Sequence, residues 1–317
     1  MNFLITGGAG FLGSALSNRL LKQGHHVRVL DDLSTGDPES LESDIHFTRG
    51  DINDRPKLWT LLQDIDCVFH LAARVSVPQS ILFPKDYNTV NVGGTATLME
   101  AVRDAKTPRV VLASSGAIYG DQTGAMLNEE MPPNPRSPYA VSKLSAEWYV
   151  RTIGALAGVK TVCLRIFNAY GPGQRIPPAH PPVIPNFIRQ SLQNGTLIFH
   201  SDGQQTRDYV YVDDVVDALI ACTTAPNLNG RVINVGSGTE TSVRDLARMV
   251  TEVTEGKPEE VFNPRVSGGV SCMCADLTLA KELLNYEPKT DLKKGLQLTV
   301  ELDPQFQSKP ESKTSAA

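Results

Sequence analysis

The chain lacks the features that mark several large protein classes. It has 5 cysteines in 317 residues (Cys67, Cys163, Cys222, Cys272 and Cys274). An odd, scattered set of this kind makes no disulfide framework and points to reduced thiols in a cytoplasmic protein. Cys272 and Cys274 have no second pair and no histidine nearby, so no metal site is expected. No apolar stretch approaches the ~20 residues of a membrane span. Charged residues make up 21% and the net charge is −5, which leaves no general attraction to nucleic acid or anionic lipid. There is no tandem repeat, and residues 1–5 read as a short strand rather than a secretory leader. The tail from Pro304, "PQFQSKPESKTSAA", is polar and reads as disordered.

What is present alternates. The β-rich runs "NFLITG", "HVRVLD", "HFTRGDI", "CVFHLAA", "RVVLASS" and "TVCLRIFN" are separated by helical stretches. Runs such as "RVVLAS" show no apolar/polar alternation, as expected of strands covered on both faces. "FLGSALSNRLLKQG" places Leu12, Leu16, Leu20 and Leu21 on one helix face and stops at Gly24; "GGTATLMEAVRDAK" does the same with Leu98, Val102 and Ala105. The pattern predicts an α/β fold: a doubly wound parallel (Rossmann) sheet with a second, smaller, discontinuous α/β domain. "GPGQRIPPAHPPVIPNF", with six prolines in seventeen residues, reads as an irregular loop, and "DYVYVDDVVDALIAC" as a return to the sheet. The expected boundaries are 1–168 for the dinucleotide-binding part, rejoined by about 208–236. The second part takes 169–207 and 237–302, and 303–317 is the tail.

The segment "TGGAGFLG" fits two dinucleotide-binding spacings, one on Gly8, Gly10 and Gly13, the other on Thr6, Gly7, Gly10 and Gly13. Either places glycines where a strand turns sharply into a helix and the backbone approaches a pyrophosphate at the helix N-terminus. Asp31 follows Gly13 by eighteen residues, close to the ~20 expected of a ribose-binding carboxylate. Asp31 and Asp32 without an adjacent arginine favour a free 2′-hydroxyl, hence NAD rather than NADP.

"SPYAVSKLSAEWYV" sets Tyr139 and Lys143 one helical turn apart. A neighbouring ammonium favours the phenolate, which suits a proton acceptor working while a hydride leaves the same carbon. Ser115, in "SSGAIYG" at the end of a strand, is positioned to relay that proton. His70 lies in an apolar strand and is read as a core residue; His25 and His26 sit in a turn, His180 in the proline-rich loop.

Taken in order, Thr6-Gly7-x-x-Gly10-x-x-Gly13, "HLAA" (70–73), Asn91, Ser115 and "YAVSK" resemble the extended short-chain dehydrogenase/reductase family, over 1 to about 298. The resemblance selects the Thr6-based spacing. Within that family the chain is similar to the nucleotide-sugar 4-epimerases, the group of UDP-galactose 4-epimerase. "VLDDLSTG", "GDIND", "RIFNAYGPGQ", "DGQQTRDYVYVDDVVDA" and "NPRVSGGVSCMCADLTLAKELL" carry this second likeness. It implies an NAD site of Gly7, Gly10, Phe11, Leu12 and Gly13 around the phosphates. Asp31, Asp32, Ser34, Thr35 and Gly36 would hold the adenosine ribose, and Asp51 and Ile52 the adenine. Leu71, Ala72, Ala73, Tyr139, Lys143 and Phe167 would complete it. The sugar nucleotide would meet Ser76, Ser115, Tyr139, Asn168, Val183, Phe199, Arg207, Arg265 and Met273, with the two arginines on the diphosphate. The loop after Arg265 departs from the family pattern by one residue and by Gly268-Gly269 for the usual Gly-Asp.

The reaction so implied is redox-neutral: Tyr139 takes a proton from the sugar 4-hydroxyl as the C4 hydride passes to the cofactor. The 4-keto sugar then turns over and both are returned. Gly116 and Ala117 stand where the family's dehydratases and decarboxylases carry acidic residues, which argues against elimination or decarboxylation. Asn168 argues against UDP-glucuronate, whose epimerases commonly have threonine there. The alternatives left open are an oxidoreductase or epimerase acting on another nucleotide sugar, and a non-catalytic NAD-binding protein on the same fold. A homodimer, usual in the family through the tyrosine's helix, is the expected assembly; Met273, at the wall of the sugar pocket, is expected to admit an N-acetyl group.

Overall fold

A computed structural model of the chain describes residues 1–122, 126–264 and 270–307. The first half of the chain alternates as its apolar runs require. β1 (Asn2–Thr6) turns into α1 (Phe11–Lys22), and β2 (His26–Asp31) leads to β3 (His46–Arg49), α2 (Arg55–Leu61) and β4 (Cys67–His70). α3 (Val77–Leu82) and α4 (Pro84–Tyr87) run through a π-helical stretch, Asn88–Gly93, into α5 (Gly94–Ala105). β5 (Arg109–Ser115), α6 (Pro138–Ala157) and β6 (Lys160–Ile166) complete this half. All six strands pair in parallel, with a seventh from residues 231–235 beside β6. β1 lies centrally, and the order reverses across it, so the ends of β1 and β4 open onto the crevice where such sheets bind ligands. Every residue of β4 is buried, in keeping with helices on both faces.

Local signals set the helix ends. Ser137 accepts a hydrogen bond from the Ala140 amide (3.1 Å) and Pro138 occupies the first position of α6, which ends at Gly158 with φ +70°. α1 ends just before Gly24, whose φ is +82°.

The second half builds two smaller sheets. β7 (Asn168–Tyr170), α7 (Val183–Leu192), β8 (Thr196–His200), β9 (Thr206–Tyr211) and α8 (Val212–Ala221) precede the seventh strand, β10 (Arg231–Val235). β11 (Glu240–Ser242), α9 (Val243–Thr254), β12 (Glu259–Asn263), α10 (Thr278–Leu284) and α11 (Leu292–Leu302) follow. β9 is flanked by β7 and β11 in one sheet; β8 and β12 pair in the other.

Three expectations are corrected here. "DYVYV" does not rejoin the large sheet: both edges of β9 are filled by β7 and β11, and "RVINV" makes the return instead. α8 does come back to the large sheet's helical layer, where Asp213 and Asp217 pair with Arg19 of α1 (2.7 and 3.2 Å). The proline-rich loop stops at Pro182, which caps α7; Pro185 sits in that helix's first turn, where a missing N–H leaves no bond unmade. The tail is ordered at its start, because Asp303 caps a 3₁₀ turn (Pro304–Phe306) and accepts the Gly173 N–H (2.8 Å), while the Phe306 ring is buried. Residues 308–317 of that tail lie outside the described residues.

One buried carboxylate joins these parts. Asp208 of β9, fully buried, accepts from the Ser237 amide (2.6 Å) and hydroxyl (2.7 Å), the Gly238 amide (3.0 Å) and the Ala275 amide (3.1 Å). Removing it strands several buried donors at about 1–3 kcal/mol each. Asp208→Ala is therefore expected to lower the unfolding free energy by about 3 kcal/mol or more, read as a lower urea midpoint.

Candidate active site

The turn after β1 is shaped by two close approaches. Gly7 has φ +72°, and a Cβ there would lie 2.6 Å from the Ala72 amide nitrogen; a Cβ on Gly13 would overlap the Gly7 carbonyl. The backbone thus folds tightly around Gly7, which agrees with the Thr6-based spacing. α1 starts at Gly10 with no side chain capping it and no acidic residue in its first turn. Its open N–H groups suit a pyrophosphate.

Asp31 ends β2 beside this turn, buried, and accepts from the Ala9 (3.0 Å) and Leu33 (2.9 Å) amides. Burial raises its pKa, while the Leu33, Ala9 and Gly10 amides pull it down. Asp32, Ser34 and Thr35 are exposed, and Gly36 packs where a Cβ would meet the Asp31 carboxylate at 2.9 Å. Asp51 is exposed and Ile52 buried at the end of β3's loop, and Leu71, Ala72 and Ala73 follow β4, half-buried along the same crevice. Phe11 and Leu12 open α1. These residues offer a fitting cradle for NAD: an uncapped helix start, a glycine turn a Cβ would fill, and a buried carboxylate.

Ser115 ends β5 and Tyr139 lies one residue into α6, which crosses that strand end. Ser115 Oγ accepts from the Ala117 amide (3.2 Å); burial raises the Tyr139 pKa, and the neighbouring Ser115 side chain lowers it. Lys143, 5% exposed, donates to the Ala113 carbonyl at 2.9 Å; burial lowers its pKa to about 8, against the pull of Glu147. The three predicted residues are thus brought together. The base of the site is polar and connected. Thr95 donates to the Asn91 carbonyl (2.6 Å), so it accepts from His70 Nε2 (2.9 Å), and His70 Nδ1 in turn accepts from Thr6 (2.7 Å). The Asn91 amide donates to Ser142 Oγ (2.9 Å), which donates to the Tyr139 carbonyl (2.7 Å). His70 is buried as expected, with both nitrogens used.

The expected sugar-nucleotide residues divide. Asn168 opens β7, Val183 opens α7, and Ser76 caps α3, its carbonyl accepting from Tyr87 (2.6 Å). Arg207 of β9 donates to the Thr206 (2.6 Å) and Val270 (2.7 Å) carbonyls; burial lowers its pKa. Met273 and Phe167 share an apolar cluster with Tyr119, Leu127 and Ala275. Phe199 is a correction: its ring is fully buried, stacked on Phe262 at 4.8 Å with Phe187 at 5.7 Å, so no face is left for a ligand. Arg265 lies outside the described residues. Sequence reasoning missed Glu147, Ser114 and Arg165, which form a buried cluster beside Lys143. A glutamate four residues after Lys143 was the available signal.

A model of the NAD-dependent epimerase/dehydratase family matches residues 3–236. The chain belongs to this family. A UDP-glucose 4-epimerase of Mycolicibacterium smegmatis is 40% identical over 309 residues, 95% of this chain and 98% of that one. The structure of a UDP-glucose 4-epimerase from Thermotoga maritima with UDP-glucose superposes with a TM-score of 0.91 at 36% identity, covering 95% and 98% of the two chains. That of a UDP-glucuronic acid 4-epimerase from Bacillus cereus, with UDP-glucuronic acid and NAD, gives 0.88 at 34%, with the same coverage. As a member of this epimerase/dehydratase family the chain is an NAD-dependent enzyme of the isomerase class, on the doubly wound sheet that the sequence predicts.

The family's dinucleotide turn rests here on a neutral histidine. Burial lowers the His70 pKa to about 3, with Lys143 adding to it. The unfolded chain binds this proton near pH 6.5, so stability falls as pH drops through the window from 6.5 toward 3. Urea unfolding across that range should show the slope, and His70→Gln should reduce it. Nitrogen-15 NMR should find His70 as the Nε2–H tautomer throughout pH 5–8.

Proposed function

We propose that this enzyme interconverts UDP-glucose and UDP-galactose by epimerisation at C4. The observation that carries the reading is the placement of Tyr139 and the buried Lys143, one turn apart on α6, at the end of β5 where Ser115 lies, beside the glycine turn and with Gly116 and Ala117 as the next residues. Gly116 lies against the Phe167 ring and Ala117 follows it, so neither position supplies the carboxyl group that elimination or decarboxylation would use.

NAD, when bound, accepts and returns the C4 hydride. The side chains handle the proton and the orientation. Tyr139 takes the 4-hydroxyl proton and later returns it, Ser115 bridges tyrosine and sugar, and Lys143 stabilises the phenolate. In the free protein burial keeps the phenol protonated; Lys143, one turn away, would favour its ionisation, and the positive charge of a bound oxidised cofactor would add to that. Asp31 holds the adenosine ribose, the large sheet carries the cofactor, and the segments around β7, β9 and 270–276 carry the sugar nucleotide. Arg207 and Arg265 take the diphosphate, and Asn168 and Ser76 face the sugar. Exposed Val141, Trp148 and Tyr149 on α6, near Ile81, Leu82 and Phe83, support a homodimer through this helix in a cytoplasmic enzyme.

Incubation with a panel of UDP-hexoses, followed by NMR of the sugar stereochemistry, tests the reading: C4 inversion of UDP-galactose supports it, and inversion of UDP-glucuronate alone overturns it. Tyr139→Phe should keep the fold and NAD while turnover falls about 10²–10⁴-fold. Met273 packs in an apolar cluster with flexible torsions, so UDP-N-acetylglucosamine should turn over at a lower but measurable rate. Met273→Tyr should abolish that activity and spare UDP-galactose.

A further inference from the structure

Beneath the tyrosine and lysine of α6 lies a group of charges that the proposed proton transfers do not use. Glu147 stands one turn after Lys143 on the same buried face and is 1% exposed. Its carboxylate accepts three hydrogen bonds: from Ser114 Oγ (2.6 Å), Arg165 Nε (3.0 Å) and Arg165 Nη2 (2.9 Å). Arg165, on β6, is 5% exposed and lies 4.7 Å over the Tyr119 ring. Ser114 is the neighbour of Ser115, and Lys143 reaches the same strand at Ala113.

Burying a bidentate ion pair costs desolvation that the attraction only partly offsets, so such pairs are poor devices for stability alone. Here the pair lies one helical turn from another buried charge. Lys143 is a second buried cation, and it donates to the neutral Ala113 carbonyl. The titratable groups facing this part of α6 are Tyr139 and Glu147, one turn either side of Lys143; His70 from β4, which feels Lys143; Arg165 and Cys163 from β6, beside Glu147; and Tyr87 from α4, beside Tyr139. His70 is neutral with both nitrogens bonded, and the Cys163 thiol is held protonated by burial. Among these, Glu147 alone offers a negative charge.

We infer that Glu147 is a positioning residue for the acid/base pair: locked by Arg165 and Ser114, its carboxylate keeps the buried Lys143 as an ammonium beneath Tyr139. Arg165 fixes the carboxylate's direction, and Ser114 ties it to the strand that presents Ser115. The direction of the effect on Lys143 agrees, since burial lowers its pKa and Glu147 raises it. The inference rests on the proposed role of Lys143 at the cofactor and the tyrosine.

The test uses the full-length protein as Glu147→Gln, which keeps an acceptor for Ser114 and Arg165 while removing the charge. Because that variant leaves Arg165 as an unpaired buried cation, Glu147→Gln with Arg165→Met is made beside it. Two pH profiles are recorded between pH 6 and 10: UDP-galactose turnover, and NAD affinity by calorimetry, which needs no sugar. Loss of the Lys143 charge should set in about one pH unit or more lower in Glu147→Gln, and lower by a smaller amount in the double variant. Profiles that keep the wild-type pH dependence in both variants, with only a lower Tm or a uniform loss of turnover, overturn the inference. So does a shift in the single variant that vanishes in the double, because the bare Arg165 charge then explains it. If the wild-type protein inverts no UDP-hexose, the substrate reading fails, and the NAD profile still decides the role of Glu147.

Discussion

A lysine ammonium that is 5% exposed has to find its compensation inside the protein, and much of the polar architecture under α6 answers that demand. Lys143 is held to β5 through the Ala113 carbonyl, one residue from Ser114 and two from Ser115. That bond sets how far α6 stands from the strand end and which way its first turn points. Tyr139, one turn earlier, therefore meets Ser115 rather than solvent. On the other side of the helix start, Asn91 of the π-helical stretch donates to Ser142 of α6, which donates to the Tyr139 carbonyl. The irregular winding there lets Asn91 present its backbone carbonyl to Thr95 and its amide to Ser142. Thr95 passes the connection to His70 and Thr6, at the root of the glycine turn. The position of Tyr139 and the shape of the glycine turn are thus two ends of one buried hydrogen-bond chain.

Such a chain was largely out of reach of sequence reasoning. What was legible was whatever obeys a local period: strands without alternation, a glycine turn between strand and helix, Asp31 at its proper interval, and a tyrosine and lysine one turn apart. Family resemblance added the order of these pieces. What was not legible depends on long-range pairing. "DYVYV" has the composition of a central strand, and nothing local says that its edges are taken by β7 and β11. Phe199 sits in a strand whose alternate residues are exposed, and its burial comes from Phe187 and Phe262, twelve and sixty-three positions away. Phe306 likewise anchors a stretch whose composition alone reads as disordered. Glu147 lies in the same fourteen residues as the tyrosine motif, yet a glutamate on a helix is ordinarily a solvated one; Arg165 on β6 and Ser114 on β5 are what make it a buried, satisfied group.

The two small sheets are tied to the large one by polar groups rather than by apolar area alone, and this decides where specificity can reside. Asn234 of β10 donates to the Leu127 carbonyl (2.7 Å), accepts from Tyr119 (2.7 Å), and its amide meets Glu129 (2.7 Å). Leu127 pairs with the segment that carries Met273, through the Cys274 carbonyl (2.8 Å) and the Asp276 amide (2.9 Å). Asp208 holds the same segment from the other side at Ala275, next to Arg207. The backbone around residues 274–276 is therefore fixed in register from two sides, by Leu127 and by Asp208, while the Met273 side chain faces an apolar cluster with Tyr119 and Phe167. Buried hydrogen bonds of this kind have few alternative partners, so a change of side chain at 273 leaves the backbone where it is. A side chain so mounted can be exchanged without disturbing the tyrosine, because its support and that of Lys143 are joined through Tyr119, whose hydroxyl serves Asn234 and whose ring lies under Arg165. The backbone at 273 and the helix that carries Lys143 therefore rest on separate sets of hydrogen bonds, with the Tyr119 ring between them.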